Sequence, residues 1–215
     1  NANVALGGGA SAVTGDLSVA SGTLDMNGQS LTVGGNATLT ANLTTGAGTL
    51  TVTGTTEIDG VLTATGGALN LDGNLLAAST GTLTMNDGTL DASGSVVNVS
   101  NLAAGPTWTT GTLTLDGNGS QTLSLSGTSL QNLTLNKGAN TDVVTVDTAV
   151  TVAGTTTVTS GILNHTEGAA FNGPVSIAVT NGTLRNTTAA SKNYNFGSTV
   201  AVNGTFQFAA NALTL

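Results

Sequence analysis

The sequence predicts an all-β fold, a parallel β-helix (β-solenoid) of roughly ten coils with about 19–23 residues in each. Three observations lead there. Aliphatic and hydroxyl residues alternate with period two in short runs bounded by glycine and asparagine, which is the strand signature. The tripeptide Gly-Thr-Leu recurs at Gly22, Gly48, Gly81, Gly88, Gly111 and Gly182, with variants at Gly60, Gly67, Gly161 and Gly204. No stretch of useful length carries a helical period, while 31 glycines break helices and 42 threonines favour strands.

Taken in order, the chain repeats one theme. Asn3-Val4-Ala5-Leu6-Gly7-Gly8 is similar to Ser30-Leu31-Thr32-Val33-Gly34-Gly35, so the first residues read as an ordinary coil. Strand cores begin near Leu31, Leu50, Leu69, Leu90, Leu113 and Leu133, then near Val150, Leu163, Leu184 and Phe206. In each coil glycine turns the corner, threonine faces outward and the aliphatic residue faces the axis. Residues 111–135 show this most clearly. Leu113 and Leu115, Leu123 and Leu125, and Leu133 and Leu135 mark three strands, with turns at 116–119 and 126–128. Residues 100–110 interrupt the repeat and predict an insertion, with Pro106 and Trp108 in a loop at one corner. The last quarter holds five of the six aromatics, Phe171, Tyr194, Phe196, Phe206 and Phe208. They fit a wider last coil or an aromatic end plate.

A β-sandwich is the competing fold, because strand signals also recur at 8–12 residues. Its core normally uses bulky aromatics. With aromatics at 3%, leucine, valine and alanine suit a narrow coil better. The 215 residues make a single domain or repeat array.

Composition excludes several functions. Only Lys137, Arg185 and Lys192 are basic, and the net charge is −8. Nucleic acid requires a basic footprint, and anionic lipid does too. No apolar run is long enough for a membrane-spanning helix, so no membrane insertion by a helix is expected. Cysteine is absent, so disulfides play no part. A surface of Thr, Ser, Asn and Gly with few cations predicts an extracellular or cell-surface location.

The segment Trp108, Gly111-Thr112-Leu113-Thr114-Leu115, Gly117-Asn118-Gly119, Gln121-Thr122-Leu123 and Leu130-Gln131-Asn132-Leu133-Thr134-Leu135-Asn136 resembles a module of secreted bacterial surface proteins. These are haemagglutinin- and autotransporter-type β-helix passengers. Where that module often carries an aromatic before the Asn-Leu-Thr strand, this chain has Leu130. The resemblance implies an extracellular, repetitive, non-catalytic surface protein. Together with the usual bias of parallel crossovers it implies a right-handed coil.

The ends carry the expected interface. Residues 1–15 and 193–215 contain no charged side chain, and neither end shows a capping pattern. Two readings follow: a slice of a longer protein, or a subunit whose last coil stacks on the first coil of the next. A head-to-tail contact that does not close gives a filament. Its expected residues are Val4, Leu6, Phe206, Phe208, Leu213 and Leu215. The function expected is therefore a non-enzymatic subunit of an extracellular filament or stalk, with itself as partner. The alternative is an adhesin that displays the Trp108 loop or the aromatic strands to surface glycans.

No catalytic, cofactor or metal site is expected. His165, the only histidine, shares a strand face with Glu167 and reads as a surface residue. Glu57 and Asp59 share a strand face, and Asp87 and Asp91 flank a turn. Such pairs serve glycoside cleavage only in a substrate groove, and the basic and aromatic lining is missing. Calcium-binding nonapeptides are absent. Candidate glycosylation acceptors are Asn36, Asn42, Asn98, Asn118, Asn132, Asn164, Asn181, Asn186 and Asn203. Thr-x-Thr triplets start at Thr38, Thr49, Thr51, Thr63, Thr82, Thr112, Thr155 and Thr157. An ice-binding solenoid needs such triplets on one face in register, and their uneven spacing argues against it.

Overall fold

Short strands with alternating burial build the molecule. In Leu31–Val33 both aliphatic residues are buried and Thr32 is exposed. In Thr49–Val52, Leu50 and Val52 are buried between half-buried threonines. A strand sends successive side chains to opposite faces, so each run supplies one apolar and one hydroxyl face. The computed structural model describes residues 3–77, 82–92, 96–98, 107–108, 112–125, 129–148, 150–165, 171–173, 176–179, 181–186, 194–196, 200–202 and 204–208. Among these residues all regular structure is β-strand, paired in parallel and stacked as in a β-solenoid. In residues 74–80, where the sequence allows one helical turn at most, the described part carries the strand Leu75–Ala77, and residues 78–80 lie outside the described residues.

Pairing joins residues one repeat apart. Leu31 pairs with Leu50, Leu50 with Leu69, Leu69 with Leu90, Leu90 with Leu113, and Leu113 with Leu133. These are the strand cores read from the sequence. Beyond Leu133 that reading slips. Leu133 pairs with Thr156, and the ladder continues through Ile177 to Val200. Leu163, Leu184 and Phe206 do pair in succession, but in another ladder, and Val150 pairs with Phe171 in a third.

The strands fall into ladders that share the chain in rotation. A first ladder starts at Asn3–Ala5 and passes through Thr23–Asp25 and Asn42–Thr44. It then enters the front of Val61–Leu71, the front of Thr82–Ala92, and Thr107–Trp108. A second runs from Ser11–Val13 through Leu31–Val33 and Thr49–Val52 into the rear halves of the same two long strands, and on to Val200–Val202. A third, ten-stranded, runs from Leu17–Val19 to Thr205–Phe208. Ser129–Leu130, Val150–Val152, Phe171–Gly173 and Tyr194–Phe196 form a further four-stranded ladder.

Aliphatic side chains from these ladders fill the axis. Leu39, Leu43, Leu50, Leu62, Leu69, Leu75, Leu113, Leu133 and Leu163 belong to one continuous buried cluster. Each fully buried leucine contributes roughly 1.5–3 kcal/mol relative to exposure. Threonine does not always face outward: Thr45, Thr56 and Thr156 are buried. Thr156 occupies the rung position held elsewhere by leucine.

Corners stack as tightly as strands. The Gly35 amide donates to the Gly15 carbonyl (3.0 Å), and the Gly54 amide to the Gly35 carbonyl (2.9 Å). Beside this column Asp16 Oδ1 accepts from the Asn36 amide (2.7 Å), and Asn36 Oδ1 accepts from the Thr55 amide (2.9 Å). Side chains one repeat apart thus satisfy amides that the turn would otherwise leave without a partner.

Two expectations need correction. The strand matching Leu31–Val33 is Ser11–Val13, not Asn3–Ala5, which pairs with Thr23–Asp25. The Gly34 amide accordingly bonds the Val13 carbonyl (2.8 Å). Trp108 belongs by its backbone to a strand paired with Met85 rather than to a corner loop. The rest of 100–110 lies outside the described residues. The pairing that spans this region, Val96 with Thr122, covers 26 residues against 19 for Leu31 with Leu50.

Candidate functional site

Two places concentrate chemistry that coil stacking alone does not require. The first is the face presented by residues 3–24. Among the described residues, the strands Asn3–Ala5, Ser11–Val13 and Leu17–Val19 each pair on one side only. Their other edge offers unpaired backbone donors and acceptors. Val4 is 55% exposed and is the large apolar side chain left outside among the described residues. Val4, Leu17, Val19 and Leu24 line an open hollow of about 400 Å³ with Ser18, Ala20, Ser21 and Thr23. Leu6 is half-buried and packs against the core.

Phe206 and Phe208 lie in Thr205–Phe208, the edge strand of the third ladder, and pair by backbone with Leu184 and Asn186. Leu213 and Leu215 lie outside the described residues. The structure therefore places Val4 and Leu6 at one uncovered strand set and Phe206 and Phe208 at an edge strand at the far end of the third ladder.

The second place is a buried polar corner around Lys137. This lysine is only 3% exposed. Its Nζ donates to Gln121 Oε1 (2.8 Å) and to the backbone carbonyl of Asp116. Gln121 is itself 2% exposed. Across the turn, Asp142 Oδ2 accepts from the amides of Gly119 (3.0 Å) and Ala139 (3.2 Å). Ser160 Oγ donates to the Lys137 carbonyl. Gly161, at φ +92°, leaves room for the Lys137 stem, since a Cβ there would meet Lys137 Cγ and Cβ. Burial pushes the Lys137 ammonium below the ordinary lysine range, and the carboxylates of Asp142 and Asp116 partly restore it. The corner holds a charge away from water. Its hydrogen bonds tie residues about one coil apart, so it reads as a staple between coils.

A related corner lies on the next turn. Ser124 Oγ donates to Asp147 Oδ2 (2.8 Å), and the Leu125 amide donates to Thr148 Oγ1 (2.7 Å). His165 Nε2 lies 3.2 Å from the Thr148 carbonyl. His165 is fully buried, which corrects the expectation of a surface histidine. Burial occurs because Leu163, Asn164 and His165 are covered in succession, breaking the usual alternation. Glu167 lies outside the described residues.

The other acidic pairs do not form as expected. Glu57 is exposed, but Asp59 lies past the end of Thr56–Ile58, so the two share no strand. Asp87 and Asp91 both lie within the continuous strand Thr82–Ala92 rather than around a turn. Among the described residues no three His, Asp or Glu side chains converge as a metal site would require.

Of the glycosylation candidates, Asn36, Asn42, Asn118 and Asn181 are exposed and Asn132 is half-buried. Asn164 is 6% exposed, and its Oδ1 accepts from Arg185 Nε (3.2 Å), so the folded chain does not offer it. Asn98 and Asn186 are described by backbone, in Val96–Asn98 and Thr183–Asn186, and Asn203 lies outside the described residues.

Lys137 could be singled out in the sequence only as one cation among three. The signal for its role is spacing: Asp116 and Gln121 stand 21 and 16 residues before it, one coil away. Neither a family model, nor a curated protein, nor a solved structure matches the chain.

Proposed function

We propose that this chain is a non-enzymatic structural protein: a right-handed parallel β-helix of ten coils that stacks head to tail into an extracellular filament or stalk. At about 4.8 Å per coil the rod would be on the order of 50 Å long. The observation that carries the reading is the uncovered face of residues 3–24. Three one-sided strands surround an apolar hollow, and Val4 stands exposed beside it. A further coil laid on that face would continue the three ladders that begin there by strand addition and bury Val4. The proposed partner is the far end of a second copy, where Phe206 and Phe208 sit on an edge strand. Right-handedness rests on the general bias of parallel crossovers.

Electron microscopy and sedimentation across a concentration series test this. The expected result is thin unbranched fibres whose length grows with concentration. Val4→Asp places a charge in the contact, and the expected result is single rods with unchanged circular dichroism. Single rods of the unaltered chain at every concentration would sink the filament. Saturable binding of those rods to a glycan would then establish the adhesin reading. Coils of a longer chain covering the same face would show as a stable monomer when the chain is extended.

A further inference from the structure

Of the Thr-x-Thr triplets, those that start at Thr49, Thr112 and Thr155 fill both outward positions of a strand in the second ladder, whereas Thr38 lies on the third ladder and Thr63 and Thr82 on the first. The outward position after Leu31, Leu50, Leu69, Leu113, Leu133 and Thr156 is Thr32, Thr51, Asn70, Thr114, Thr134 and Thr157. Two residues earlier on the same strands a second column holds Thr49, Thr112, Asn132 and Thr155, with Ala68 and Thr89 between them by register. Thr32 is exposed, and Thr49, Thr51, Thr112, Thr114, Thr134, Thr155 and Thr157 are half-buried, as neighbours in a column shield one another. The complete triplets are unevenly spaced because each rung between them places Ala, Asn or Asp in at least one of the two columns.

Such a surface has a fixed metric. Paired strands lie about 4.8 Å apart, and alternate residues along a strand about 6.6 Å apart. Threonine is stiff at χ1, so adjacent threonines on parallel strands present hydroxyl and methyl groups in one repeated orientation. The result is a two-column grid of donors, acceptors and methyls, fullest over Thr112–Leu115, Asn132–Asn136 and Thr155–Ser160. Ice also presents its oxygen atoms on a fixed lattice, one repeat of which is close to the spacing between paired strands.

Charge placement agrees with this use. Glu57 and Arg185 stand on strands of the third ladder, and Lys137 is buried at a corner. Asp16, Asp59, Asp72, Asp116 and Asp142 occupy corners. Within the columns, Asp91 alone among the described residues is an ionisable position, paired with Asn70 and Thr114. An ionised group orders its own hydration shell and would disturb a water lattice laid over the face.

We propose that the outward face of the second ladder is an ice-binding surface, whose ligand is the surface of an ice crystal. This function is separate from end-to-end assembly and needs only one folded rod. The test uses the full chain with ice as the probe. The expected result is faceted ice crystals, a gap between melting and freezing on a nanolitre osmometer, and slowed recrystallisation. Thr134→Lys, in the fullest part of the grid, should abolish these effects. Asp91→Thr should increase them by joining the two parts of the grid, and Glu57→Lys on the third ladder should leave them unchanged. Circular dichroism of each variant keeps loss of fold distinct from loss of the surface. Ice that grows in the presence of the folded chain as it does in buffer overturns the proposal. So does equal activity of Thr134→Lys. Retention on insoluble cellulose or chitin without any effect on ice would also overturn it, and would assign the grid to a crystalline polysaccharide.

Discussion

Gly67→Val will destabilise the chain by about 3 kcal/mol or more, the cost of overpacking against groups that cannot move aside. Gly67 lies inside Val61–Leu71, directly over the preceding coil. A Cβ built there would fall within van der Waals contact of the Gly48 carbonyl oxygen, with the Gly46 carbonyl oxygen 3.0 Å away. Those atoms are backbone, held by the pairing of Ala68 with Thr49 one residue on. Relief would require opening that pairing, and each lost backbone hydrogen bond costs about 1 kcal/mol more. Gly8→Ala is the control. A Cβ at Gly8 meets nothing within 4 Å, so the change should be neutral or slightly stabilising through the unfolded chain. Urea midpoints of both variants against the parent measure the difference. Equal midpoints for Gly67→Val would mean that coils can separate locally without loss of the ladder.

The same steric rule explains which parts of the fold were legible in the sequence. The Gly-x-aliphatic motif marks an inward-facing residue on a strand, and the sequence shows it ten times. The motif does not mark which ladder follows. The copies of the motif that contain Leu24, Leu62 and Leu83 fall on the first ladder. Those that contain Leu50, Leu69, Leu90 and Leu113 fall on the second, whereas those that contain Leu163, Leu184 and Phe206 fall on the third. Where the motif stayed on the second ladder, from Leu50 to Leu113, spacing alone identified the partners. Beyond Leu133 the second ladder uses Thr156, an inward residue without an aliphatic signature, and the motif reappears on the third. Alternation reports that a side chain faces the axis, not which face of the coil carries it. For the same reason the threonine grid was invisible in sequence, and the first six residues were matched to the wrong neighbour.

The buried corner was illegible for a different reason. Sequence patterns treat lysine as a solvated charge, yet Lys137 is 3% exposed because Gly161 leaves space over its stem and Gln121 receives its ammonium. Lys137→Ala should cost about 2–3 kcal/mol, since it removes the ammonium that donates to Gln121 Oε1 and the Asp116 carbonyl in a dry corner, together with an aliphatic stem. The pH dependence distinguishes this role from simple packing. Burial lowers the folded-state pKa of Lys137 below the ordinary value of 10.5, against the partial opposition of Asp142 and Asp116. Between the lowered value and 10.5 the unfolded chain holds more protons than the folded one. Stability must then rise with pH across that window and level off above it. Below the lowered value the penalty for burying the charge is present in full. Urea midpoints measured from neutral pH to pH 11 should therefore climb in the parent and stay flatter in Lys137→Met, which keeps the stem and has no proton to lose. Identical slopes in the two proteins would show that Lys137 is solvated in solution and that the corner is held by packing alone.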